Sequence, residues 1–173
     1  MRVTSKKSLR KQRGFTLIEM MIAVVMILVG LVAVAQLVSA SIFLNTANRD
    51  DSTSIVLAQN ELNQFVGQPL SNTTYTDNLG NNCTISGAAG QFSGSPVTSS
   101  SDNRQIINFA SATVPGYSFT WIDVNDPSGA RYDVRWAVYT FANNAGKRFI
   151  IGARKTGGNR PFLPVNLDTV VTK

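Results

Sequence analysis

Histidine is missing from the 173 residues, and cysteine occurs once, at Cys83. A single cysteine closes no disulfide within the chain, so the fold has no internal staple. With neither histidine nor a cysteine pair, a zinc site built from the usual ligands has nothing to start from. No metal and no other cofactor is expected. Cys83 itself reads as a small buried side chain or an incidental loop residue. The same absence weakens any enzymatic reading: with no histidine and only scattered carboxylates, nothing nominates a nucleophile or an acid–base pair, and no catalytic residue is expected. Proline is absent before Pro69, and charge is absent from Met20 to Asn48. The net charge of +6 is also confined. Arg2, Lys6, Lys7, Arg10, Lys11 and Arg13 precede Gly14 with no acid among them, whereas the ten Lys/Arg after Gly14 are matched by ten Asp/Glu. A nucleic-acid binder carries its basic surface on the folded domain. Here the excess lies on a short N-terminal tail, which points to membrane orientation rather than to nucleic acid.

What the chain does have is one long apolar run. Phe15 to Leu44 contains a single charged residue, Glu19. The run exceeds the roughly 20 apolar residues that span a bilayer core of about 30 Å. A basic tail lies at one end and Arg49-Asp50-Asp51 at the other. The positive-inside rule then puts the N-terminus in the cytoplasm and the C-terminal part on the far side. A cleaved secretory signal is the alternative, with Ala33-Val34-Ala35 before Gln36 as its processing site. The run continues past that site, however, and Glu19 lies inside it, where an unpaired charge costs on the order of a few kcal/mol.

The stretch "RGFTLIE", Arg13 to Glu19, resembles the processing site of type IV prepilins and of the related pseudopilins of type II secretion. That motif is a basic leader ending in glycine, an aromatic residue, a glutamate four residues on, and about twenty apolar residues. Gly14, Phe15, Glu19 and the run after them supply each part over about the first third of the chain. The resemblance implies cleavage between Gly14 and Phe15 by prepilin peptidase and N-methylation of the new Phe15 amine. It also implies a role for Glu19 in subunit assembly, pairing with the N-terminal amine of a neighbouring pilin or pseudopilin. Two such charges in low dielectric attract strongly and penalise any register that separates them. The alternative for Glu19 is a carboxylate that snorkels to the cytoplasmic interface.

Beyond the apolar run, Ile55, Ala58, Leu62 and Phe65 recur at helical spacing and form a stripe. Gly67 followed by Pro69 reads as a helix stop. One helix from about Phe15 to about Val66 is expected, roughly 75 Å long. Major pilins often carry a kinking proline in its first half; the matching position here is about Gln36. Residues 68–104 are rich in Asn, Ser, Thr and Gly and read as loop, with a short strand around Cys83-Ile85. From Arg104 the texture becomes β-branched and aromatic: "RQIINFA", "YSFTWIDV", "RYDVRWAVYTF" and "RFIIGAR" are strands, with turns at Asp126–Gly129 and Asn143–Gly146. In the third of these, Tyr132, Val134, Trp136 and Val138 alternate with Asp133 and Arg135, so one face is buried. Its partner is the stripe Ile55–Phe65. The alternative for Trp121 and Trp136 is an aromatic ligand platform, for sugars or nucleic acid, but core packing accounts for both. Arg148, Arg154, Lys155 and Arg160 read as part of a mixed-charge surface, with Asp123, Asp126 and Asp133 nearby to offset them.

The expected fold is therefore α+β and pilin-like: a long N-terminal helix, membrane-embedded in its first half, packed against a C-terminal antiparallel sheet of about four strands. The chain divides into a leader over 1–14, a transmembrane and filament-core helix over 15–44, its amphipathic continuation over 45–67, a variable loop region over 68–104 and a sheet over 105–173. The C-terminal stretch has no cysteine for the disulfide-bounded loop of many pilins. Together with "LAQNEL" and "RYDVRWAVYTF", this resembles a minor pilin of the V type or a minor pseudopilin of the I type. The implied function is a structural subunit that helps initiate or build a type IV pilus. Its location is the inner membrane as a single pass with the C-terminal part periplasmic, then the pilus or pseudopilus. A minor pseudopilin of type II secretion is one alternative. A membrane-anchored or secreted periplasmic β-domain binding protein is another, of a different class.

Overall fold

A helix, α1, starts at Leu17 and ends at Val66. Thr16 caps its start: the Glu19 N–H donates to Thr16 Oγ1 at 3.3 Å, and the Met20 N–H to the Thr16 carbonyl at 3.2 Å. At the other end the Gly67 N–H still reaches the Asn63 carbonyl, at 3.1 Å, and Pro69 prevents continuation. This computed structural model describes residues 14–126, 129–157 and 163–172. Residues 1–13 of the expected leader, Pro127 and Ser128 of the expected turn, and Arg160 lie outside the described residues. The chain forms two compact units, one up to Asn45 and one from Thr46 onward.

In the first unit every described residue is exposed. Among the described residues α1 is the one helix long and apolar enough to cross a membrane.

The second unit is built on antiparallel pairing. Its main sheet has β7 (Arg131–Thr140) and β8 (Gly146–Thr156) at the centre, paired along their full length. The tight turn between them places Asn143 and Asn144 at positive φ, which asparagine tolerates better than most residues. β9 (Val165–Thr172) pairs with the far edge of β8. The other edge of β7 is shared. β6 (Ser118–Ile122) pairs with residues 131–135, and β3 (Phe92–Gly94) with residues 137–139. Trp136 stands at the handover: its N–H donates to the Tyr117 carbonyl at 3.0 Å, and its carbonyl accepts from the Ser95 N–H at 2.9 Å. The sheet has five strands rather than about four: the expected strands at β6, β7 and β8 lie in it, the expected strand "RQIINFA" does not, and β3 and β9, which the sequence reading did not include, complete it. Two small hairpins complete the unit: β1 (Thr74–Thr76) with β2 (Asn82–Thr84), and β4 (Val97–Ser99) with β5 (Gln105–Ile107). This is the α+β, pilin-like arrangement that the sequence implies.

The helix segment of this unit lies on one sheet face. Phe65 packs edge-on to Trp136 (5.2 Å between centroids) and tilted against Phe149 (5.4 Å), in one core with Ala58, Val134, Val138 and Ile151. Two expectations need correction. The buried register of α1 is Asp50, Ser54, Ala58, Glu61 and Phe65, whereas Ile55 is 37% exposed. A reading confined to apolar residues could not see it, because two of its members are carboxylates. Second, β7 is buried on both faces. The β4–β5 hairpin covers the face that carries Asp133 and Arg135, setting Ile107 and Phe109 against Ala137 and Ile150. Arg135 is retained there by Asp133, 2.9 Å from its Nε, and by the Ser111 carbonyl, 2.7 Å from an NH group. Its guanidinium and that of Arg154 both lie over the Phe109 ring, 5.1 and 4.7 Å from the centroid. The hairpin fits because Gly152 lacks a side chain: a Cβ there would meet Phe109 at 2.8 Å and Ile107 at 3.0 Å.

Candidate functional site

Gly14 and Phe15 precede the helix, and both are exposed, Phe15 by 76%. Glu19 sits in the first turn of α1, four residues and about one turn after Phe15. The spacing Thr16-x-x-Glu19 is a capping-box pattern, and an acidic residue in a first turn also complements the helix dipole. A local role for Glu19 in starting the helix is therefore on hand, and the sequence reading had passed over that signal. It accounts for the backbone N–H of Glu19. Among the described residues its carboxylate has no hydrogen bond or ion pair. From Leu17 onward the helix offers Ile18, Met21, Ile22, Val25, Leu28 and their neighbours to the surroundings, each more than half exposed. That apolar surface far exceeds what a water-soluble monomer presents.

The second unit brings together side chains that the sequence left apart. Asp50, 2% exposed, accepts from Lys155 Nζ at 2.8 Å and from the Tyr132 hydroxyl at 3.3 Å. Arg49 beside it pairs with Asp126. Of the four cations expected on a mixed-charge surface, Arg148 pairs with Asp168, Arg154 lies 3.9 Å from Asp133, and Lys155 holds Asp50. Asp133 is the acid beside Arg154, and Asp126 pairs with Arg49.

Glu61, Asp77 and Cys83 form the one grouping of metal-capable side chains among the described residues, with ligand atoms within 4.8 Å of one another. Hydrogen bonds occupy it. Glu61 Oε1 accepts from the Tyr75 hydroxyl at 2.8 Å and faces Cys83 Sγ at 3.5 Å. Asp77 accepts from the backbone N–H groups of Leu79 and Asn81 and from the Asn81 amide. Burial pushes the Glu61 carboxyl above its ordinary range, more than the Tyr75 hydrogen bond lowers it. Burial and the Glu61 charge push the Cys83 thiol and the Tyr75 phenol up as well, so neither ionises near neutrality. Such a thiol is inert rather than nucleophilic.

Trp136 is a core residue, 1% exposed, and its indole N–H donates to the Thr84 carbonyl at 2.8 Å. Trp121 is only half-buried. It lies against Tyr132 and lines a groove beside the helix. The two tryptophans therefore do not form one platform.

Residues 9–35 match the family model for the prokaryotic N-terminal methylation motif. No significant match to a curated protein or to a solved structure was found. The matched segment contains Gly14, Phe15, Glu19 and about two-thirds of the apolar run, so the chain carries the N-terminal signature of a type IV pilin-like prepilin.

Proposed function

We propose that this chain is a minor pilin, made as a precursor, cut between Gly14 and Phe15 by prepilin peptidase and N-methylated at Phe15. The observation that carries the reading is the methylation motif over residues 9–35, followed by a helix whose apolar residues are exposed along the whole first unit. Before assembly that helix anchors the subunit in the inner membrane, with the basic tail cytoplasmic and the β-rich unit periplasmic. In a filament it packs among the helices of other pilins. The Glu19 carboxylate then meets the α-amine of a neighbour's Phe15. In low dielectric that pairing removes two isolated charges at once and fixes the axial register of the subunits. On this reading the role is structural, as the methylation motif over residues 9–35 implies.

The test is the N-terminal residue of the mature protein, read by mass spectrometry of the membrane fraction. A methylated Phe15 is expected. A terminus at Gln36, or a leader still attached, would sink the assignment. A second reading, a minor pseudopilin of type II secretion, shares every step up to assembly. Recovery of the processed chain in sheared surface filaments favours the pilus, and its retention in the envelope favours the pseudopilus.

A further inference from the structure

We infer that the groove lined by Trp121 is a binding site for a neutral saccharide. It lies wholly within the second unit, between the exposed flank of α1 and the segments around Leu79 and Trp121, and measures about 750 Å³. That is within the range of small-ligand sites, about 300–1,000 Å³, with room for about two or three sugar rings. One wall is aromatic. Phe119 and Trp121 are both half-buried, and each is braced from beneath, Phe119 by Trp136 (6.1 Å between centroids) and Trp121 by Tyr132 (5.6 Å). The lining also includes Asn60, Asn63 and Asn78, each with a side-chain amide.

Three features select the ligand class. First, the side-chain amides of Asn60, Asn63 and Asn78, and the indole N–H of Trp121, have no hydrogen-bond partner among the described residues. An amide both donates and accepts, as a sugar hydroxyl does. Second, the charged groups lining the groove are already engaged. Arg49 pairs with Asp126, and Glu61 accepts from Tyr75. Asp126 offsets the Arg49 charge and Glu61 is 2% exposed, so the groove presents little net charge to a phosphate ester, a carboxylate or a cationic ligand. Third, the apolar wall is aromatic and aliphatic together, with Val56 and Leu79 more than half exposed beside the two rings. A pyranose has an apolar C–H face that lies on such a wall and hydroxyls at its edge that reach a polar rim. The combination of aromatic rings, neutral amides and little net charge fits that ligand better than a nucleotide or a charged peptide.

The test uses the full-length chain in detergent. Cellotriose, maltotriose and tri-N-acetylchitotriose are titrated by ligand-observed saturation-transfer NMR, with glucose 6-phosphate as the charged comparator. Saturable binding of at least one neutral trisaccharide, and none of the phosphate ester, is expected. Trp121→Ala should weaken it about tenfold, the loss expected for one aromatic contact. Asn60→Ala with Asn63→Ala should weaken it at least as much. Both asparagines are exposed, so this double variant keeps the fold if Trp121→Ala does not. Absence of saturable binding to all three trisaccharides overturns the inference, as does binding that both variants leave unchanged. If no sugar binds and the double asparagine variant fails to enter filaments, the groove is instead a contact between subunits. Leader processing plays no part in this experiment, so its outcome is independent of the N-terminal assignment.

Discussion

Glu61 shows how one buried carboxyl couples this fold to pH. Its ordinary pKa is near 4.5, and burial raises it in the folded chain. The folded state therefore holds this proton more tightly than the unfolded state does. Its contribution to stability is complete below about pH 4.5 and is lost as pH rises through the raised value. Glu61→Gln keeps an oxygen for the Tyr75 hydroxyl and removes the charge. We expect it to match the parent chain in thermal unfolding near pH 4 and to exceed it in Tm at pH 7.5. Equal Tm values at both pH values would show that Glu61 is comfortably ionised in the fold. A second residue-scale prediction concerns Gly94, at φ +100°. A Cβ there would meet the Tyr117 ring and lie 2.9 Å from the Trp136 carbonyl. Gly94→Ala should cost about 2 kcal/mol or more, read by chemical unfolding, since both backbone strain and a clash oppose it. Neither residue was legible in the sequence. A glutamate on an amphipathic helix reads as solvated, and its burial depends on Tyr75 and Cys83 arriving from another hairpin.

Among the elements, the second half of α1 and the strand pair β7–β8 are joined by polar as well as apolar contacts. The register that pairs Tyr132 with Lys155 across the two strands puts both on the face that meets Asp50. Lys155→Ala would leave a buried, uncompensated carboxylate and should destabilise the chain by about 3–5 kcal/mol. Replacing both partners, Asp50→Leu with Lys155→Met, should recover most of that loss, because the desolvation of both charges is then avoided. A double variant as unstable as the single one would mean that the pair specifies how helix and sheet meet. The strands themselves were readable. "RYDVRWAVYTF" and "RFIIGAR" carry the β-branched and aromatic density that central strands require, and β7 and β8 fall on them. What periodicity could not convey was the burial of Asp133 and Arg135, since period-2 alternation marks one apolar face and is silent about what later covers the other. The cover comes from Ile107 and Phe109, about 25 residues upstream.

At the scale of the whole molecule, the two units obey different solvents. The first exposes its apolar residues throughout; the second buries them in the ordinary way. Ile27→Arg would place a charge within the apolar run at a cost of roughly 2.5–3.5 kcal/mol on insertion scales. We expect the variant to shift measurably into the alkaline-carbonate supernatant, whereas the parent stays in the membrane pellet. Glu19→Gln, by contrast, should leave membrane retention and leader cleavage intact and reduce incorporation into filaments, measured as the processed chain in the sheared fraction. Undiminished incorporation would return Glu19 to its local part beside Thr16. The signal for the first unit was legible because a contiguous stretch of chain carries it. The groove was not, because its walls come from Asn60, Leu79 and Trp121, which meet only after the sheet and helix have packed.

The handover at Trp136 has a practical consequence. The excursion from Ser95 to Tyr117 leaves and rejoins the sheet on the carbonyl and amide of a single residue. Its ends are thereby fixed to each other independently of its length. Its base, through Ile107 and Phe109, is committed to the core, but its tip is an exposed turn in which Ser100 and Arg104 bond each other across Asp102. Lengthening a loop whose ends are already pinned costs little, about 0.6 kcal/mol per doubling. The link between Ser101 and Asp102 is therefore a natural place to insert an epitope or a fluorophore-accepting peptide. A tag there would report where the protein resides in a living cell while leaving the methylation motif over residues 9–35 untouched.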